Sequence, residues 1–193
     1  MPSHQLIVPA LPVLVPLGLA LMIVTAALLR RRDMMTPGRL AVTWLAVWYA
    51  VAVFGATMLP MRLAWGPGAG YFEPYRLTLE PVVGMRPLDF VLNLAMTVPL
   101  AAVLYVVFGV RERRRVVLTG FLLSLTIELI QAILAFTLHG NRWADVNDLM
   151  SNTLGAYFGW FAFRRLMRFE HFRQVVESCS FARTGRGTPS AVR

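Results

Sequence analysis

The sequence predicts an all-α fold: a polytopic membrane helical bundle of about five transmembrane helices, with the N-terminus out and the C-terminus in. Three observations lead there. Hydrophobic residues make up 57% of the 193 residues and charged residues only 15%, against about 25% charged in soluble domains. The apolar residues gather into runs of roughly twenty, the length that carries an α-helix across about 30 Å of hydrocarbon. The 19 basic residues are all arginine, and they stand between these runs rather than inside them. In a membrane protein that placement sets orientation, so the formal charge of +9 does not point to nucleic acid. Cys179, the single cysteine, excludes an internal disulfide or a multi-cysteine metal site.

The first run, Leu6 to Leu29, carries no formal charge. Pro9, Pro12 and Pro16 predict a kink or a late helix start in its first half. Arg30, Arg31 and Arg32 follow the run and no basic stretch precedes it, so it reads as a retained anchor rather than a signal peptide. Leu40 to Leu59 is the second run, with Trp44, Trp48 and Tyr49 as belt or core aromatics. Residues 1–60 thus hold two N-terminal transmembrane helices, and 61–87, rich in Gly, Pro and aromatics, form an extracytoplasmic loop. Leu88 to Val110, Val116 to Leu138 and about Asp145 to Phe163 supply three further spans, a core covering 88–163. The segment 164–193 is a basic cytoplasmic tail, amphipathic at first; from Ser178 it lacks any apolar period and predicts disorder. Fifteen of the nineteen arginines fall in the two connections after spans one and three and in this tail, and arginine-rich connections stay in the cytoplasm.

Polar side chains are costly in hydrocarbon, so those that persist face a protein interior or a wet cavity. Asp89, Asn93 and Thr97 follow one another at intervals of four on span three. Ser124, Glu128 and Gln131 keep helical spacing on span four. Asp145, Asp148, Asn152, Gly155 and Gly159 do so on span five. Each set occupies one helix face. With a rise of about 1.5 Å per residue, Glu128 lies roughly 15 Å from the outer end of its span. The expected site is an outward-open polar crevice with Glu128 near its floor and the His139–Asn147 loop over its mouth.

Each feature also has a plainer reading. Asp145 and Asp148 suit an N-cap and an N3 carboxylate of span five. Gly155 and Gly159 suit close helix packing, and Asn93, Gln131 and Asn152 could bond between helices. Glu128 could pair structurally with Arg142 or Gln131, or serve function. His139, Asp145 and Asp148 match no standard metal spacing, so neither a metal nor a cofactor is expected. No nucleophile–His–acid set, phosphate-binding loop or dinucleotide fingerprint is present.

Two stretches resemble a known family. They are Ser124-Leu-Thr-Ile-Glu128-Leu-Ile-Gln131 and the run from Arg142-Trp-Ala-Asp145-Val-Asn-Asp148 through Asn152-Thr-Leu-Gly155 to Gly159. With Asp89-Phe-Val-Leu-Asn93 and Pro99 upstream, they are similar to the VanZ-like signature; Ala101 stands where a Gly often follows. The resemblance covers about Leu88 to Phe163. It implies a small multi-pass protein of the bacterial cytoplasmic membrane, of the type named after an accessory factor in teicoplanin resistance. Its motif positions are Asn93, Glu128, Gln131, Arg142, Asp145, Asp148 and Asn152.

Three functions compete. In the first, a non-enzymatic cell-envelope factor binds a lipid headgroup or lipid-linked wall precursor through Asp89 and these seven residues, with Arg86 or Arg142 meeting a phosphate or carboxylate. In the second, a membrane-embedded hydrolase or transferase uses Glu128 as acid or base and Asp148 as a second carboxylate. The third is a proton-linked transporter, disfavoured by the lack of a repeat. Membrane lipids are the expected partners, nucleic acid is not, and the oligomeric state stays open.

Overall fold

The computed structural model describes residues 4–69 and 74–181 of the chain. Strand β1 (His4–Val8) leads into α1 (Ala10–Arg31) and α2 (Pro37–Met58), a helical hairpin, followed by β2 (Met61–Trp65). A short 3-10 turn and β3 (Leu77–Thr78) precede α3 (Pro87–Thr97) and α4 (Leu100–Phe108). Then come α5 (Arg113–Leu138), β4 (Ala144–Asp145), α6 (Val146–Leu166) and α7 (Glu170–Cys179). Among these, α1, α2, the α3–α4 pair and α5 are long and apolar enough to cross a membrane. Helix α6 is not in that set: its first two turns hold Asn147, Asp148, Ser151 and Asn152, which dilute an otherwise apolar stretch.

The chain is mostly helical, yet the all-α expectation needs a correction. β1 pairs antiparallel with β2, from His4 opposite Trp65 to Val8 opposite Met61. β3 pairs in parallel with β4, Leu77 beside Ala144 and Thr78 beside Asp145. Both ladders lie where helices start or stop, and they satisfy backbone groups that helical bonding leaves open. The proline-rich start behaves as expected. Pro9 is the N-cap of α1, and only Pro16 lies well inside the helix.

Span three is broken. Val98 and Pro99 separate α3 from α4, because Pro99 has no N–H to donate back to Ala95. Gly159 of α6 lies against Val98 at that break, and Gly155 lies against Thr97 and the Leu94 carbonyl one turn earlier. Between membrane helices the driving force is packing, and small residues allow the closest approach. The glycine stripe is therefore a packing device that seats α6 on α3.

Large apolar side chains such as Ile23, Leu45, Leu122, Ile133 and Phe136 point outward, while Ser124, Glu128, Gln131, Ser151 and Asn152 are buried. This polar-in, apolar-out arrangement suits a lipid solvent. One apolar cluster, built on Leu100, Leu104, Tyr105, Val116, Ala156 and Phe163, fills the arginine-rich end. A second, around Val53, Met58, Leu59 and Ile127, lies near the strands.

The amphipathic start of the tail forms α7, whose Phe172 and Val176 pack on the first cluster. The stretch expected to be disordered from Ser178 is ordered at its start: α7 runs to Cys179, and the hydroxyl of the buried Ser180 donates to Val106 O at 3.3 Å. The hydrogen bond from Arg173 holds the Glu170 carboxyl below its usual range. The rest of that expected disordered stretch, 182–193, lies outside the described residues.

Candidate functional site

Helix starts and stops build the site. Arg86 is the N-cap of α3, with Pro87 at N1 and Asp89 in the first turn, so Asp89 and Asn93 share the opening face of that helix. Asp145 is the N-cap of α6. Its Oδ1 accepts from Asn147 N and from Asn147 Nδ2, both at 2.8 Å, and Asp148 follows in the first turn. The capping expectation holds for both acids, since carboxylates complement the helix N-terminus. From α5 come Glu128 and Gln131, both buried.

A cavity of about 930 Å³ opens among these elements, and its walls include Asp89, Asn93, Glu128, Gln131, Arg142, Asp145, Asp148 and Asn152. All eight residues singled out in the sequence therefore share one cavity. Seven have a specific tether, Asp145 through its cap; Asp89 has only the exposed approach of Arg86. Glu128 Oε2 accepts from Asp145 N at 2.8 Å. Gln131 Nε2 donates to Thr57 O at 2.8 Å, and Asn152 Nδ2 donates to Ser124 Oγ at 3.0 Å. Arg142 donates to Leu59 O, while the Asn93 side chain bonds Asp148. Glu128 thus pairs with the main chain at Asp145, not with Arg142 or Gln131.

Among the described residues, three buried polar atoms on these walls have no hydrogen-bond partner: Gln131 Oε1, Arg142 Nε and Asn152 Oδ1. A buried polar group without a partner costs about 1–3 kcal/mol, which is tolerable where a ligand or water completes the bonding.

The expected depth relation is corrected. Asp145 does not sit above Glu128 at the rim but beside it, ten residues short of the end of α5. The chain from His139 to Asp145 folds back along α5. His139, in a left-handed conformation, ends the helix, and β4 pairs with β3. Rather than a cover alone, this re-entrant segment forms part of the wall through Asn141, Arg142 and Trp143. Non-helical backbone at such a level is stable only when buried in protein or lining a cavity. Of the residues once weighed for a metal, His139 directs Nδ1 to Ala64 O at 3.2 Å.

Sequence reasoning missed two asparagines. Asn147, buried, accepts from Val82 N at 2.7 Å and donates to Val83 O at 3.4 Å. It holds a turn in which Val82 has φ of 70°, a conformation costly for a β-branched residue. Asn141 accepts from Arg62 N at 2.8 Å and donates to Pro60 O at 3.3 Å. Asn147 lies inside a polar run in which helical phase singles out Asp145, Asp148 and Asn152 instead. Nothing local distinguishes Asn141, since its partners are about eighty residues away.

Comparison with protein-family models matches residues 41–168 to VanZ/LLP1. The chain belongs to the VanZ-like family. Comparison with curated proteins and with solved structures returned no significant match. With its apolar helices, this VanZ-like chain is a multi-pass membrane protein. The match reaches further than Leu88–Phe163, taking in most of α2. The structure supplies a reason: Thr57 O and Leu59 O at the end of α2 receive the Gln131 and Arg142 side chains. The VanZ-like motif residues are thus anchored to a helix that carries no motif of its own.

Proposed function

We propose that this VanZ-like protein is a cell-envelope accessory factor that binds a lipid headgroup or lipid-linked wall precursor in the cavity. The observation that carries this reading is the gathering of eight polar side chains from separate elements around about 930 Å³ of space, with three buried polar atoms unpartnered. Small-molecule sites have this size and this sparse set of oriented polar groups. Arg142 anchors one nitrogen on Leu59 O and leaves Nε unpartnered, so a phosphate or carboxylate is its natural ligand. The enzyme reading has less to stand on, because one Glu128 oxygen holds Asp145 N and the described residues lining the cavity include no serine, cysteine or histidine. A role in glycopeptide resistance at the bacterial plasma membrane belongs to this proposal.

The proposal includes five spans. Helix α6 packs along both α3 and α5, so it crosses with them, its polar turns sheltered from lipid by their faces. The N-terminus and the cavity then face outward, and the arginine-rich connections face inward. A periplasmic-type reporter fused after Arg115 is expected to be silent, and strong activity there would overturn this orientation.

Arg142→Ala is expected to lose the lipid that co-purifies with the wild type, read by lipid mass spectrometry on equal amounts of folded protein. Unchanged lipid content in that variant would remove the cavity from the binding role.

A further inference from the structure

We infer that the cavity takes a headgroup carrying a primary ammonium beside its phosphate, the chemistry of phosphoethanolamine on a membrane lipid. This rests on the headgroup reading above and specifies its ligand. Four carboxylates line the cavity, Asp89, Glu128, Asp145 and Asp148, against two guanidiniums, Arg86 and Arg142. The arginines do not neutralise the acids. Arg142 turns one nitrogen to a main-chain carbonyl rather than to an acid, and Arg86 reaches Asp89 only at 3.9 Å with both side chains exposed. Such an exposed pair contributes little and is free to separate.

Acceptors also outnumber donors on the buried side. Gln131 Oε1 and Asn152 Oδ1 are acceptors without a partner, on residues 6% and 2% exposed. One carboxylate oxygen of Glu128 and one of Asp145 hold backbone N–H groups, and each carboxylate has capacity left. Buried acceptors need donors, and an ammonium supplies three with a positive charge. An anionic headgroup without an ammonium would bring no positive charge to the four acids. The unpartnered Arg142 Nε and the loosely held Arg86 suit the phosphate two carbons from that ammonium.

The rim indicates that the headgroup arrives on a lipid. Leu79, Val82, Val83, Leu88, Val91 and Leu92 are more than half exposed and flank the cavity residues Gly84, Met85, Arg86 and Asp89. This apolar border is suited to acyl chains while the acids hold the head.

The test uses the full wild-type chain, delipidated in detergent, with affinities read by native mass spectrometry. The probes are dioleoyl phosphatidylethanolamine, its N-acetyl derivative and dioleoyl phosphatidylglycerol. The amine lipid is expected to bind at least tenfold tighter than either of the other two. Asp89→Asn, at an exposed position, should narrow that gap several-fold while the protein remains folded. Glycerophosphoethanolamine at matched concentration should leave the lipid in place; equal competition would overturn the lipid source in favour of a soluble amine. Equal or tighter binding of phosphatidylglycerol would overturn the ammonium while leaving the headgroup reading intact. Binding of none of the three would remove both.

Discussion

Gly155→Ala and Gly159→Ala are expected to destabilise the protein strongly and to lower its accumulation in the membrane. A methyl at 155 would fall on Thr97 Oγ1 and the Leu94 carbonyl, and one at 159 would fall on the Val98 carbonyl and Cα. Overpacking of this kind costs about 1–3 kcal/mol, and backbone atoms cannot rotate out of the way as a flexible side chain does. The two substitutions should differ on rescue. Thr97→Ala removes one obstacle and should restore part of the loss in Gly155→Ala. It should do nothing for Gly159→Ala, whose obstacle is backbone. Leu154→Ala, on the same helix at a 39% exposed position, is the control and should shift stability by only about 0.5 kcal/mol. Thermal unfolding reads all five purified variants, the two glycine variants, each of them combined with Thr97→Ala, and the control. Wild-type melting of both glycine variants would mean that α6 does not lie this close to α3.

Glu128→Leu should cost about 1–3 kcal/mol, while Glu128→Gln should stay within about 1 kcal/mol of the wild type. The distinction follows from one hydrogen bond. Asp145 N donates to Glu128 Oε2 at the start of α6. A glutamine oxygen can still accept that bond, whereas leucine strands a partly buried N–H and removes the anchor of the re-entrant segment. The measurement is unfolding of each variant in matched detergent. Equal losses for leucine and glutamine would show that charge, not the main-chain bond, is what position 128 contributes to stability.

Much of the candidate site was legible beforehand because hydrocarbon makes polar residues conspicuous. In a soluble protein Asn93, Gln131 and Asn152 would be ordinary surface residues; in apolar runs they are anomalies, and helical phase puts each on a face with an acid. Asn141 and Thr57 were not legible by this route. Asn141 stands in a loop where polarity is unremarkable, and Thr57 contributes its main-chain carbonyl, which no side-chain pattern announces. The span boundaries were similarly uneven. Runs of apolar residues located α1, α2 and α5 closely, but Pro99 divides the third run in a way that matters only once Gly159 is placed against the break.

Composition and period by themselves determined that this chain is helical and membrane-embedded and which faces are polar, because transfer into lipid and the 3.6-residue turn act on each segment alone. The level at which α6 begins beside α5, the partner of Glu128 and the joining of four elements around one cavity were decided only in the tertiary structure. Those depend on backbone groups of one segment meeting side chains of another, across separations that local patterning does not encode.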